Sequence, residues 1–227
     1  MLQVNSQLKV TKLGIILDKT DLEFENAGVL NPACIAEDGK VHVFYRAVKQ
    51  GNYSTIGYAR LDGPTKVEVR TDKPLIEADA EYESHGIEDP RIVKINDLYY
   101  LTYTAYDGIN ALGCLAVSKD LKHFEKKGVI VPKVSYDTFV DLTKPKGLLK
   151  NKYYRFNQHE NVPEKDRGKM LLWDKNVVFF PRRINGGLAF IHRIKPGIQI
   201  VTDLKEIEDL TPKFWEDYLT NLDENIL

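Results

Sequence analysis

The chain has 227 residues, with 32 Lys and Arg against 33 Asp and Glu, a formal charge of −1 and a hydrophobic content of 43%. That balance provides no long-range field to recruit nucleic acid or an anionic membrane, and no segment approaches the ~20 apolar residues of a membrane span. Residues 1–20 hold no apolar stretch of signal-peptide length, so a cytoplasmic location is expected.

Short β-branched and aromatic runs separated by Gly and Asx breaks dominate the first half. They fall at 40–47 (KVHVFYRA), 54–61 (STIGYARL), 66–70 (KVEVR), 91–95 (RIVKI), 98–106 (LYYLTYTAY) and 111–118 (ALGCLAVS). This is the pattern of strands and hairpins. The bias toward 12 Tyr and 9 Phe over 2 Trp fits strand propensity, and it also fits rings that stack on sugars. Cys34 and Cys114 lie far apart in apolar runs and read as reduced core residues.

The runs repeat. Residues 31–46 (NPACIAEDGKVHVFYR) and 89–104 (DPRIVKINDLYYLTYT) share a polar residue, a proline, an apolar strand, a two-residue turn and an aromatic-rich strand. A shortened third copy is read from Phe180 to Arg193 (FPRRINGGLAFIHR). Four-stranded units repeated in this way predict an all-β, propeller-type fold, each unit burying its faces against its neighbours. A β-sandwich with chance internal similarity is the alternative. One domain over 1–227 is expected, interrupted at 135–173 by a polar, basic, Pro-broken insertion with a short helix near 137–142. A further helix is expected in the acidic tail, starting near Thr211-Pro212.

The chemistry-bearing segment is Glu88-Asp89-Pro90-Arg91. Pro90 restricts Asp89 and removes a ladder donor, which places the carboxylate at the start of an inner strand. Two adjacent carboxylates near an arginine can be given different proton affinities, as acid catalysis requires. The same four residues could equally begin a strand and form a surface pair. Asn31 occupies the position of Asp89 in the first copy. Arg46 ends the following strand and faces either the site or the rim. Tyr106 and Asp107 end the matching strand of the second copy, and His192 ends that of the third. Lys175 is read as just preceding the third copy.

The segments NPACI, VFYRA, GIEDPRIVKI, YYLTYTAYD, LAVSKDLKHFEKKG and FFPRRINGGLAFIHR together resemble glycoside hydrolase family 130, the β-mannoside phosphorylases and β-mannosidases. The resemblance implies a five-bladed β-propeller with sugar bound on its axis. It implies that Asp89 is the general acid, acting through a sugar hydroxyl in the phosphorylases. Asn31, Arg46 and Glu88 would hold the mannosyl ring, with Arg91, Tyr106 and Asp107 beside it; Lys175 and His192 would lie near phosphate. Arg182-Arg183 departs from the family's more usual Glu-Lys pair. Family members also continue for a blade or more, so this chain reads as C-terminally truncated, with about three to four blades.

The expected activity is cleavage of β-mannosides with inversion, by phosphorolysis. No cofactor or metal is expected, and inorganic phosphate would be the co-substrate. The alternatives are hydrolysis of the same bond by water, a furanoside hydrolase, or a non-catalytic carbohydrate-binding propeller fragment. A mannoside is the expected partner, and a homo-oligomer is left open.

Overall fold

The computed structural model describes residues 9–158 and 163–227; residues 1–8, and 159–162 of the expected insertion, lie outside the described residues. The strands β1 (Gly28–Glu37), β2 (Lys40–Lys49), β3 (Tyr53–Asp62) and β4 (Lys66–Arg70) form a four-stranded antiparallel meander. The β1–β2 turn is Asp38-Gly39, both with positive φ (49° and 72°), the backbone that a two-residue hairpin turn demands. A second meander follows with the same order: β5 (Ile87–Ile95), β6 (Leu98–Tyr106), β7 (Ala111–Ser118) and β8 (Glu125–Val129). The third unit has three strands, β9 (Asp174–Phe179), β10 (Leu188–Ile194) and β11 (Gln199–Leu204). A parallel pairing of Leu112 with Asp174 links β7 to β9 and joins the second and third units into one seven-stranded sheet.

The third copy begins earlier than expected. Its inner strand is β9, so Lys175 lies inside the strand, while residues 180–187 form the connection to β10. Aligning on Pro181 misplaced the repeat, because Val177 stands where the first two copies have Pro32 and Pro90. Cys114 is buried as expected, but Cys34 is exposed, so only one of the two is a core residue.

The units pack face to face. Phe44, Ile56 and Tyr58 of the first meet Ile87, Leu101 and Tyr103 of the second. Leu112, Leu115 and Tyr100 of the second meet Val177, Phe179 and Phe190 of the third. The far face of the first unit, with Val43, Tyr45 and Leu61, is covered by Leu17 and Phe24.

The insertion contributes helices α1 (Tyr136–Thr143), α2 (Asn151–Asn157) and α3 (Glu164–Arg167), and the tail contributes α4 (Pro212–Thr220). The side chain of Ser135 accepts from the Thr138 amide and that of Thr211 from the Phe214 amide, capping α1 and α4. Phe139 of α1 and Trp215 and Leu219 of α4 enter the core shared by the second and third units. Among the described residues no helix is long and apolar enough to cross a membrane.

Buried carboxylates hold each of the first two units to its outer strand. Glu25 accepts from the Tyr45 hydroxyl (2.8 Å) and pairs with Arg70 (2.8 Å). Glu83 accepts from the Tyr103 hydroxyl (2.7 Å) and pairs with Lys126 (2.6 Å). Both carboxylates are fully buried, so each needs its cation and its donor to offset desolvation. Burial pushes the Tyr45 and Tyr103 phenols up, keeping both as neutral donors.

Candidate active site

Each inner strand breaks at the same place. The ladder slips between Leu30 and Ala33 in β1, between Glu88 and Arg91 in β5, and between Lys175 and Val178 in β9. The first extra residue in each is left-handed: Asn31 (φ 45°), Asp89 (φ 52°) and Asn176 (φ 60°). Such bulges redirect a side chain away from the regular alternation. A following proline suits the first two, since the bulge leaves its missing N–H unneeded.

The redirected side chains meet. Asn31 Nδ2 donates to Asp89 Oδ1 over 2.5 Å. Arg46, opposite Leu30 on β2, reaches across to the second unit. One terminal nitrogen lies 2.8 Å from Glu88 Oε1, the other 3.7 Å from Asp89 Oδ1, and Nε donates to Ser54 Oγ (2.8 Å). Arg46 therefore faces the site and not the rim. Among the described residues Asp89 Oδ2 has no hydrogen-bond partner.

Gly86 explains the opening residue of the Gly-x-Glu-Asp-Pro-Arg segment. Its φ is +111°, and a Cβ there would sit 2.7 Å from the backbone N and O of Ser54. The close approach lets β3 and the start of β5 run side by side, and so brings Ser54 under Arg46.

Lys175 approaches from the third unit and is half-buried. Burial lowers its pKa, the Glu88 and Asp89 carboxylates pull it back up, and Arg193 and Lys195 push it further down. Among the described residues no carboxylate lies within ion-pair distance of Lys175, Arg193 or Lys195. Lys175 and Lys195 Nζ stand 6.0 and 5.7 Å from the Trp173 ring centroid, and that indole N–H donates to Ile109 O (2.9 Å). Arg193 faces Lys175 in the ladder, and its Nε is buried without a partner.

The other expected residues are placed differently. Arg91 donates to the Pro90 carbonyl (2.7 Å) and makes none of the ion pairs of Arg46. Tyr106 packs edge-on to His85 at 6.1 Å, with its hydroxyl tied to Gly108 O. The Asp107 carboxylate is consumed by its own turn, accepting from the Ile109 and Asn110 amides (2.8 and 2.6 Å) and from Asn110 Nδ2. His192 is fully buried; Nδ1 lies 2.6 Å from Asp174 Oδ2 and Nε2 lies 2.8 Å from the Tyr218 hydroxyl. Both ring nitrogens are occupied, so it presents none to the site.

Sequence reasoning missed Ser54, Gly86, Lys195 and Trp173, and it read Asn176 and Arg193 only as polar neighbours of Lys175 and His192 at the blade ends. Asn176 could have been found by aligning DKNVVF with IEDPRIV on the residue before the proline instead of on the proline itself. Among the described residues no group of three or more His, Cys, Asp or Glu side chains is arranged to hold a metal.

Residues 16–218 match the sequence profile of glycoside hydrolase family 130, described as beta-1,4-mannooligosaccharide phosphorylase. The chain is 33% identical over 213 residues to a 1,2-beta-oligomannan phosphorylase of Thermoanaerobacter sp. (strain X514), covering 87% of this chain and 57% of that protein. It is 33% identical over 158 residues to a beta-1,2-mannobiose phosphorylase of the same organism, covering 63% and 50%. This chain thus spans about half the length of these curated relatives. Two solved structures share the fold: a glycosyl hydrolase from Bacteroides ovatus (TM-score 0.58, 20% identity, 79% of this chain and 47% of that one) and the beta-1,2-mannobiose phosphorylase of Listeria innocua (TM-score 0.54, 17% identity, 79% and 57%). With the profile match running through all three sheet units and the bulges that carry Asn31, Asp89 and Asn176, the chain belongs to glycoside hydrolase family 130.

Proposed function

We propose that this chain carries the acid-bearing part of an inverting β-mannoside phosphorylase built as a propeller, of which these three sheet units are blades. The observation that carries the reading is the Asn31–Asp89–Arg46–Glu88 constellation, assembled from two units at one end of their inner strands. Asp89 is the general acid: Asn31 and Arg46 hold Oδ1, and Oδ2 delivers the proton. The proton goes to the glycosidic oxygen, directly or through a sugar hydroxyl, as the bond from that oxygen to the anomeric carbon breaks. A phosphate oxygen forms the new bond at the opposite face of that carbon, leaving a mannosyl phosphate of inverted configuration and a free acceptor sugar.

Phosphate is favoured over water as nucleophile by Lys175, Arg193 and Lys195, three cations that act on one another and form no ion pair among the described residues; of them Lys175 also feels the Glu88 and Asp89 charges. Charged donors make the strong hydrogen bonds to phosphate. A water nucleophile would need a second carboxylate free to act as base, whereas Glu88 is engaged by Arg46. His192 is assigned to packing rather than to phosphate, and Asp107 to its turn.

The test is turnover of β-mannobiose, both β-1,2- and β-1,4-linked, with and without inorganic phosphate. Phosphate-dependent release of mannose 1-phosphate supports the reading. Equal rates of mannose release without phosphate would assign hydrolysis, and mannoside binding without turnover would assign a carbohydrate-binding role.

A further inference from the structure

The three units share one more repeated feature, and the third copy of it is rearranged. Arg46, Thr104 and Arg193 stand opposite the residue that precedes each bulge, so Tyr45, Tyr103 and His192 are equivalent positions. Each of these three side chains reaches a fully buried carboxylate: Glu25, Glu83 and Asp174 respectively. In the first two units the outermost strand completes the cluster with a cation, Arg70 or Lys126. Among the described residues the third unit has no fourth strand, and α4 supplies Tyr218 instead.

Two clusters therefore consist of a carboxylate, a phenol and a cation, with the phenol on the second strand and the cation outside. The third holds a carboxylate, an imidazole and a phenol. Tyr218 donates its only proton to the Ile200 carbonyl over 2.9 Å, because a carbonyl can only accept. With that proton committed to the carbonyl, the phenol oxygen is an acceptor for His192 Nε2–H at 2.8 Å. On the other side the Asp174 carboxylate accepts from Nδ1–H at 2.6 Å. In that arrangement both ring nitrogens would carry hydrogen.

We propose that the third unit keeps the charge balance of the other two with cation and phenol exchanged, so that His192 is the buried cation, and that the His192–Asp174 pair positions and electrostatically shields Lys175. Asp174 directly precedes Lys175 and also makes the pairing with Leu112 that joins the units. Without a positive partner, its buried charge would stand one residue behind the lysine and repel an anion held there. The other charged groups acting on Lys175 are Glu88, Asp89, Arg193 and Lys195, and none of them pairs with Asp174. The positioning part rests on the reading of Lys175 as an anion ligand; the charge assignment does not.

Two measurements test this. Nitrogen-15 NMR of the labelled chain at neutral pH should show both His192 ring nitrogens protonated; one bare nitrogen would overturn the charge assignment. Inorganic phosphate affinity, measured by calorimetry, should fall about tenfold in His192→Tyr, the size of one uncompensated charge acting across a residue or two. The double variant His192→Tyr/Tyr218→Lys, which recreates the order found in the first two units, should recover both affinity and melting temperature. A melting temperature that recovers while phosphate affinity does not would confine the pair to stability and overturn positioning. A double variant no better than His192→Tyr in either readout would overturn the exchange itself. Absence of phosphate binding by the unsubstituted chain would defeat the reading of Lys175, and with it the positioning part, while the NMR result would still decide the charge.

Discussion

Asn31 and Asp89, 58 residues apart, occupy the same left-handed backbone position in neighbouring units and meet amide to carboxylate at 2.5 Å. Asn31→Asp keeps the side-chain length and puts a second carboxyl at that distance. Two such groups cannot both ionise, so one retains its proton to a higher pH than an ordinary carboxylate. A carboxyl whose folded pKa lies above its unfolded value loses stability as pH rises from the unfolded value through the folded one. The melting temperature of Asn31→Asp relative to the unsubstituted chain should therefore decline from about pH 4 upward. A constant difference across that range would show that the two carboxyls do not interact.

Asp89→Asn keeps size and removes the proton. General acid assistance is worth about two to four orders of magnitude, so kcat on β-mannobiose with phosphate should drop by that factor with little change in mannoside affinity. Near-normal kcat in a folded variant would remove Asp89 from the mechanism.

The parts of this site that were legible in the sequence are those carried by local patterns. The strands of the first two units, their turns, α1 and α4 follow from alternation, Asx-Gly turns and Ser/Thr caps. The equivalence of Asn31 and Asp89 follows from matched spacing. What was hidden depends on burial and on partners distant in the chain. His192 looks like a ligand in FIHR, yet its neighbours Asp174 and Tyr218 come from other elements and occupy both its nitrogens. Asp107 looks free after a strand, yet it caps its own turn. Arg46 is ambiguous in the sequence because its direction depends on the ladder slip at Leu30–Ala33, which no local rule anticipates.

Gly86→Ala should be costly even though the added group is one methyl. The backbone has φ +111°, and the methyl would lie 2.7 Å from two backbone atoms of Ser54 that cannot rotate away. A loss of about 1–3 kcal/mol, the usual cost of overpacking, should appear in denaturant unfolding. Ser54 would be displaced from Arg46, so mannoside affinity should fall as well. A variant of unchanged stability would mean that the two segments separate freely.

Lys175→Met should stabilise the fold while removing phosphate affinity. Burial holds the Lys175 pKa below that of an unfolded lysine, so between the two values the unfolded chain binds more protons and stability rises with pH. The charged lysine is thus a burden at neutral pH, and it is relieved as pH climbs toward about 10.4. The advantage of Lys175→Met in melting temperature should be largest near neutrality and should shrink on the alkaline side. An advantage that grows with pH would reverse the assignment.

The shared bulge has a consequence for what this family of repeats can become. Left-handed backbone is open to Asn and Asp at little strain and closed to most other side chains. Glycine aside, which brings no side chain, each repeat therefore offers its end of the inner strand chiefly to two letters, one neutral and one able to ionise. Asn31, Asp89 and Asn176 spell out that choice, with a single acid among amides. The backbone filters which mutations survive at these positions before any substrate selects among them. A change of one base in a codon then decides which repeat carries the ionisable side chain.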